Sequence, residues 1–146
     1  MRAQVNSLSG LDTAGVTDPT VALRLRLIEH RVAMLIIVEV GDIRRFTEAG
    51  FARFNGTAPI PASSGEGENA PVRHRLSRGG NRRLNAAIYR IAMIQLRYEP
   101  RARRIHDQAR ARGHTRREAM RVLKRHLSDA IYRTMLRDAR RAGDLT

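Results

Sequence analysis

Between Asn55 and Gly80 the chain cannot form a regular helix, and that interruption constrains its fold more than any other feature of the sequence. The segment NGTAPIPASSGEGENAPVRHRLSRGG sets Pro59, Pro61 and Pro71 among repeated glycines. Proline removes a backbone donor and fixes φ, while glycine favours turns over extended order. Residues 55–80 therefore read as a long loop with room for one short hairpin. A loop of this length within a small domain is functional or disordered.

Both flanks of the loop read as helix. On the N-terminal side, residues 1–18 are small and polar with no sustained period, as in a poorly ordered leader. Asp18-Pro19 then suits a helix start, because Asp can cap free N–H groups and Pro fits the first helical position. From Thr20 to Val40 the set Leu23, Leu27, Val32, Leu35 and Val38 approximates a helical stripe. Met34 to Val40 is apolar almost all round and rich in β-branched residues, so a strand stays open there. Gly41-Asp42 breaks this run and caps a short helix over Ile43–Ala49.

On the C-terminal side, Leu84, Ala87, Ile88, Ile91, Ala92 and Gln95 define one face of a helix that begins at Asn81 and closes near Glu99-Pro100. Two more helices follow, Arg101–Arg112 and Thr115–Arg140, separated at Gly113. Their apolar stripe is Ile105, Met120, Leu123, Leu127, Ile131 and Met135. The fold class is mainly α: a small helical domain with a long Pro/Gly-rich loop carrying a Ser-Ser-Gly motif.

Charge says what such a domain meets. Lys and Arg total 28 against 14 Asp and Glu, and all but one of the basic residues are arginine. A GC-rich genome explains arginine in place of lysine, but not a two-to-one excess of base over acid. The excess is also uneven. Residues 1–72 hold 7 basic and 8 acidic side chains, net −1, and residues 73–146 hold 21 and 6, net +15. So basic a half-chain repels itself unless a polyanion is near, and nucleic acid is the usual one. An anionic membrane surface competes, but the shortage of aromatic anchors argues against it. The longest apolar run, Ala33–Val38, is far short of the roughly 18 residues of a membrane span. The absence of cysteine excludes disulfides, thiolate ligands and a cysteine nucleophile, and fits a cytoplasmic protein. Met1–Gly10 lacks the apolar core of a signal peptide.

Three constellations could carry chemistry. Ser63-Ser64-Gly65 lies shortly before His74, Arg75, Arg78, Asn81, Arg82 and Arg83. A serine hydroxyl can attack phosphorus when nearby arginines neutralise the phosphate. Taken alone, the spacing fits turn chemistry better. Gly79-Gly80-Asn81 places a turn before a helix whose free N–H groups could receive a phosphate. Arg83, Arg90 and Arg97 recur every seven residues on one face of that helix, and the net charge favours a phosphate-tracking stripe over a merely solvated face. The five histidines show no ligand spacing with a carboxylate, so no metal is expected. Glu39, Asp42 and Glu48 read as helix caps and surface charges.

Taken in order, Gly41-Asp42-Ile43-Arg44-Arg45-Phe46, Phe51 to Pro59, Ser63-Ser64-Gly65 and His74 to Asn85 resemble one family. It is the C-terminal domain of the DEDD-type, bridge-RNA-guided insertion-sequence transposases, and the resemblance covers roughly residues 38–140. It implies a serine nucleophile that becomes covalently linked to DNA. Ser64, which precedes the glycine, matches that nucleophile, and Ser63 is the alternative. Residues 41–140 then form the transposase C-terminal domain, and 19–40 are what remains of the link to an N-terminal nuclease-like domain. Residues 141–146 are a tail.

The resemblance also implies a divalent metal held by four acidic residues of the nuclease-like domain, so no cofactor is expected in this chain. The family usually places a Gly-x-Gly-Pro helix-hairpin-helix turn before the apolar run, yet here His30-Arg31-Val32-Ala33 leads straight into Met34. The expected protein is thus a truncated transposase copy, located in the bacterial cytoplasm at the nucleoid. It would bind DNA through His74, Arg75, Arg78, Asn81, Arg82, Arg83 and Arg90, with a guide RNA, a homo-oligomer and an intact transposase as further partners. It is expected to be inactive in strand exchange alone. The alternatives are a non-catalytic nucleic-acid-binding module or a decayed pseudogene product.

Overall fold

The computed structural model describes residues 18–61, 74–75 and 79–143, without the side chains of Ala22, Arg26, Pro61, His74 and Arg75. The leader as far as Thr17, Ser63, Ser64, Arg78 and the tail beyond Gly143 lie outside the described residues. Helix α1 spans Pro19–Val40. Asp18 starts it by accepting hydrogen bonds from the N–H groups of Thr20 and Val21, at 2.8 and 3.4 Å. Gly41 ends it at φ 62°, where its N–H reaches the Ile37 carbonyl. A left-handed stop of this kind suits glycine, which carries no Cβ.

Two expectations for α1 need correction. Met34–Val40 is helix, because the caps at both ends bracket one continuous element and its inner side meets a helical partner. The stripe drawn from spacing is inward only in part: Val32 is buried and Leu35 packs against the core, but the rest is not. Leu23, Leu27 and Val38 are 59%, 57% and 74% exposed, and the buried side carries Leu25, Val32, Ala33, Ile36 and Val40. A helix that is apolar nearly all round does not reveal which side is inward. The helix passes through His30–Met34 without a break, so the chain has no hairpin turn there.

The short helix expected over Ile43–Ala49 is two elements. Asp42 caps a 3-10 turn, Ile43–Arg45, by accepting from Arg44 N–H. Phe46 is extended, and Thr47 then accepts from Gly50 N–H to start α2, Glu48–Phe54. The competing side-chain cap at Thr47 is what divides the segment. Two residue pairs, Ile60 with Arg75 and Pro61 with His74, form an antiparallel ladder of β1 (Ile60–Pro61) and β2 (His74–Arg75).

Three helices complete the domain: α3 (Arg82–Tyr98), α4 (Pro100–Ala111) and α5 (Arg116–Gly143). Glu99 closes α3 and caps α4, whose first residue is Pro100. Gly113, at φ 88°, turns the chain into α5, where Thr115 and Glu118 bond each other's N–H groups in a reciprocal cap. Helix α5 runs the length of the domain and packs on α2, α3 and α4, while α1 packs on α3. Ile36, Val40, Phe51, Leu84, Ile88 and Leu123 meet in the core with at most 1% exposure. Side chains of this size contribute roughly 1.5–3 kcal/mol each on burial. Tyr132 on α5 donates to the Phe46 carbonyl at 2.9 Å, which fixes the link between the 3-10 turn and α2. The protein is a small helical domain, as its sequence predicts.

Candidate nucleic-acid interface and loop root

The two ends of the long loop are bolted together, and sequence motifs supply the bolts. At one end, α2 stops at Asn55-Gly56, with Gly56 at φ 72°. At the other, Gly80 lies so close that a Cβ there would stand 3.0 Å from Gly56 N and Phe54 O and 3.1 Å from Arg53 O. A side chain there would require those backbone atoms to give way by a few tenths of an ångström. Asn81 N–H then donates to the Phe54 carbonyl at 2.7 Å.

Asn55 is fully buried and serves both strands of this root. Its Nδ2 donates to Ser128 Oγ at 2.8 Å, and its Oδ1 accepts from Thr57 N–H and Thr57 Oγ1 at 3.0 and 2.7 Å. Its main-chain carbonyl accepts from Asn85 Nδ2 at 2.8 Å, and Asn85 Oδ1 accepts from Lys124 Nζ at 2.6 Å. A buried polar cluster therefore ties the end of α2, the start of α3 and the middle of α5 together. Every member has a hydrogen-bond partner, the condition under which such a cluster rigidifies rather than destabilises.

Asn81 is the cap of α3, with Oδ1 accepting from Leu84 N–H at 3.0 Å. Its Nδ2 donates to Glu39 Oε2 at 2.6 Å, and Arg83 reaches the other Glu39 oxygen at 3.4 Å. The Asn81 bond first, and Arg83 after it, hold the Glu39 carboxyl below its ordinary value against the opposing effect of burial. This revises two readings. Glu39 is a bridge between α1 and α3 rather than a cap or a free surface charge. The start of α3 is also already occupied by Asn81 and shadowed by a carboxylate, so it is a poorer phosphate seat than its sequence suggests. Asp42 and Glu48 do act at helix starts, and Glu48 pairs with Arg133 at 3.0 Å.

The predicted basic residues distribute as follows. Arg82, Arg83, Arg90 and Arg97 are all exposed on α3. Arg83 and Arg90 rim a shallow groove floored by Met34, Val38 and Ala86, with Glu39 at its edge. Arg82 shares a second face with Asn85 and the half-exposed ring of Tyr89, since residues three and four apart are neighbours on a helix. His74 and Arg75 belong to β2, which brings their backbone beside Ile60 and Pro61. The position of their side chains, and of Arg78, Ser63 and Ser64, falls outside the described residues. Sequence reasoning passed over Lys124, Ser128 and the role of Glu39. Lys124 carried a signal, since it is the chain's single lysine.

Residues 24–107, more than half of the chain, match the transposase IS116/IS110/IS902 family. The chain belongs to that family. A relative, the uncharacterized 43.6 kDa protein of insertion element IS110 from Streptomyces coelicolor, is 38% identical over 112 residues. Those residues are 74% of this chain and 26% of the relative, so the chain spans about a quarter of the relative's length. The family match takes in the α2 and α3 sides of the loop root, as far as Asn85, and ends before Lys124 and Ser128. Among the described residues of this family member, no three His, Asp or Glu side chains lie together in a group that could hold a metal ion. No described helix is long and apolar enough to cross a membrane.

Proposed function

We propose that this chain is the DNA-engaging, serine-bearing C-terminal region of an insertion-sequence transposase, with residues 41–140 as its domain and α1 as the link toward a nuclease-like domain. The family match over residues 24–107 carries the reading. The geometry supports it, because the root closes the loop next to a row of exposed arginines on α3. Ser64 is the nucleophile, with Ser63 as the alternative. Its oxygen bonds to a DNA phosphorus while a sugar oxygen leaves, taking the proton that the serine gives up. Arg82, Arg83 and Arg90, with His74, Arg75 and Arg78 at the loop's far end, hold the phosphates, while Asn81 is engaged by Glu39 and Leu84. The metal-dependent part of the reaction belongs to the nuclease-like domain, so this chain alone binds DNA without exchanging strands. Guide RNA, a second copy and an intact transposase are its further partners, in the bacterial cytoplasm at the nucleoid.

The test is fluorescence anisotropy of a labelled insertion-sequence end over a range of salt. Binding should weaken steeply with salt, and each of Arg82→Ala and Arg90→Ala should lower the log–log slope by about 0.9 for one lost phosphate contact. Ser64→Ala should bind as the parent does. Binding that ignores salt and both arginine substitutions would sink the proposal. A covalent protein–DNA adduct that disappears in Ser64→Ala would show instead that the chain acts unaided.

A further inference from the structure

The one lysine of the chain is also the one buried basic residue among the described residues. Lys124 is 6% exposed, in the middle of α5, and no carboxylate pairs with it among those residues. Its Nζ lies 2.6 Å from Asn85 Oδ1 and 5.9 Å from the centre of the Tyr89 ring, at the outer limit of a cation–π contact. An uncompensated amine in such a place is costly for the fold.

We propose that Lys124 is the positioning residue of the loop root: its amine fixes the orientation of the Asn85 amide, and Asn85 in turn holds the Asn55 carbonyl from which the loop departs. This rests on the proposed function only in taking that loop to be the serine-bearing one. An ammonium has donors and no acceptor, so it turns the oxygen of the Asn85 amide toward itself. The amide is planar, so its NH2 is then turned toward Asn55, where the 2.8 Å bond is found. Asn55 passes the constraint on, because its side chain spans Ser128 and Thr57. An apolar residue at position 124 leaves the Asn85 oxygen without its donor, so the Asn55 carbonyl alone is left to orient the amide. Arginine is a poor substitute, since its planar fork needs more room than a single point donor.

Burial, and after it the charge of Arg121, lower the Lys124 amine from its ordinary value. Its folded-state value is below the unfolded one, so the fold binds fewer protons and gains stability as pH rises through the lowered value toward 10.5, with no further gain above it. At neutral pH the amine is a cost to global stability. A role in positioning and a role in stability therefore predict opposite results on removal.

The experiment is amide hydrogen exchange on the full chain, comparing Lys124→Met with Lys124→Gln, which keeps a donor. In Lys124→Met the amides of Thr57, Ala58 and Asn81 should lose about ten-fold or more in protection, while those of Ile88 and Leu123 hold or gain. Lys124→Gln should recover much of the protection at the root. Equal loss everywhere, or an unchanged root in Lys124→Met, overturns the proposal. If Lys124→Met does not fold, the Asn55 carbonyl ¹³C shift in the parent protein provides a second reading from neutral to alkaline pH. It should follow the titration of Lys124, and a shift that ignores that titration overturns the proposal equally. Neither measurement uses DNA, so a failure here is separate from a failure of the DNA-binding reading.

Discussion

Two asparagines one turn apart, Asn81 at the cap of α3 and Asn85 within it, are each met by a charged side chain, and the two contacts are mirror images in chemistry. Asn81 gives its NH2 to the Glu39 carboxylate, which leaves its oxygen for the Leu84 N–H. Asn85 gives its oxygen to the Lys124 amine, which leaves its NH2 for the Asn55 carbonyl. In each case a group of one polarity settles which way a two-sided amide faces. The settings differ. Glu39 shares its charge with Arg83, whose side chain is 81% exposed, whereas Lys124 is enclosed. The first contact ends as a helix cap and the second as a tether on the loop. The same residue type in the same turn can thus start a helix or hold a loop, depending on the neighbour that orients it.

Removing each amide should separate the two ends, and Asn85→Ala has the larger expected effect. It strands the Asn55 carbonyl and the Lys124 amine inside the protein, which costs about 2–3 kcal/mol in urea unfolding. Asn81→Ala removes a cap whose partner is near solvent, at about 1 kcal/mol. Equal losses would erase the distinction between cap and tether. Raising the salt concentration sharpens the comparison, since it should shrink the Asn81 effect and leave the Asn85 effect nearly unchanged. The smallest change is expected for Glu39→Gln, which keeps an acceptor for Asn81. The Glu39 carboxyl titrates below its usual 4.5 in the folded protein, so its contribution is present above that value and is lost as pH falls through the lowered one. Glu39→Gln should therefore be somewhat less stable than the parent at neutral pH and converge with it in acid, which flattens the acid limb. An acid limb identical to the parent's would show that Glu39 does not bridge the two helices in solution.

The sequence made α3, α4 and α5 legible because each carries a spaced apolar stripe among predominantly polar residues. Leu84, Ile88, Leu123, Leu127, Ile131 and Met135 were expected inside and are inside. Helix α1 was legible in its extent and not in its orientation, since Met34–Val40 offers apolar residues to every direction. The break at Thr47 was hidden because a single threonine cap leaves almost no pattern. For the site, Asn55, Gly80, Asn81 and Asn85 sit in the strings that carry the family resemblance, but a string does not distinguish a residue that meets DNA from one that holds the backbone. Asn55 and Asn85 hold the backbone. Lys124 and Ser128 lie far along the chain from the motifs they support, and no local spacing relates them.

The single lysine also gives the molecule one built-in reporter. A lysine-specific protease has one bond to cut, Lys124–Arg125, inside α5. Cleavage there requires that stretch of α5 to unwind and leave its neighbours, so fraying at the ends of the chain does not register. When reclosing outpaces cutting, the appearance of the two fragments measures how often the centre of the domain opens.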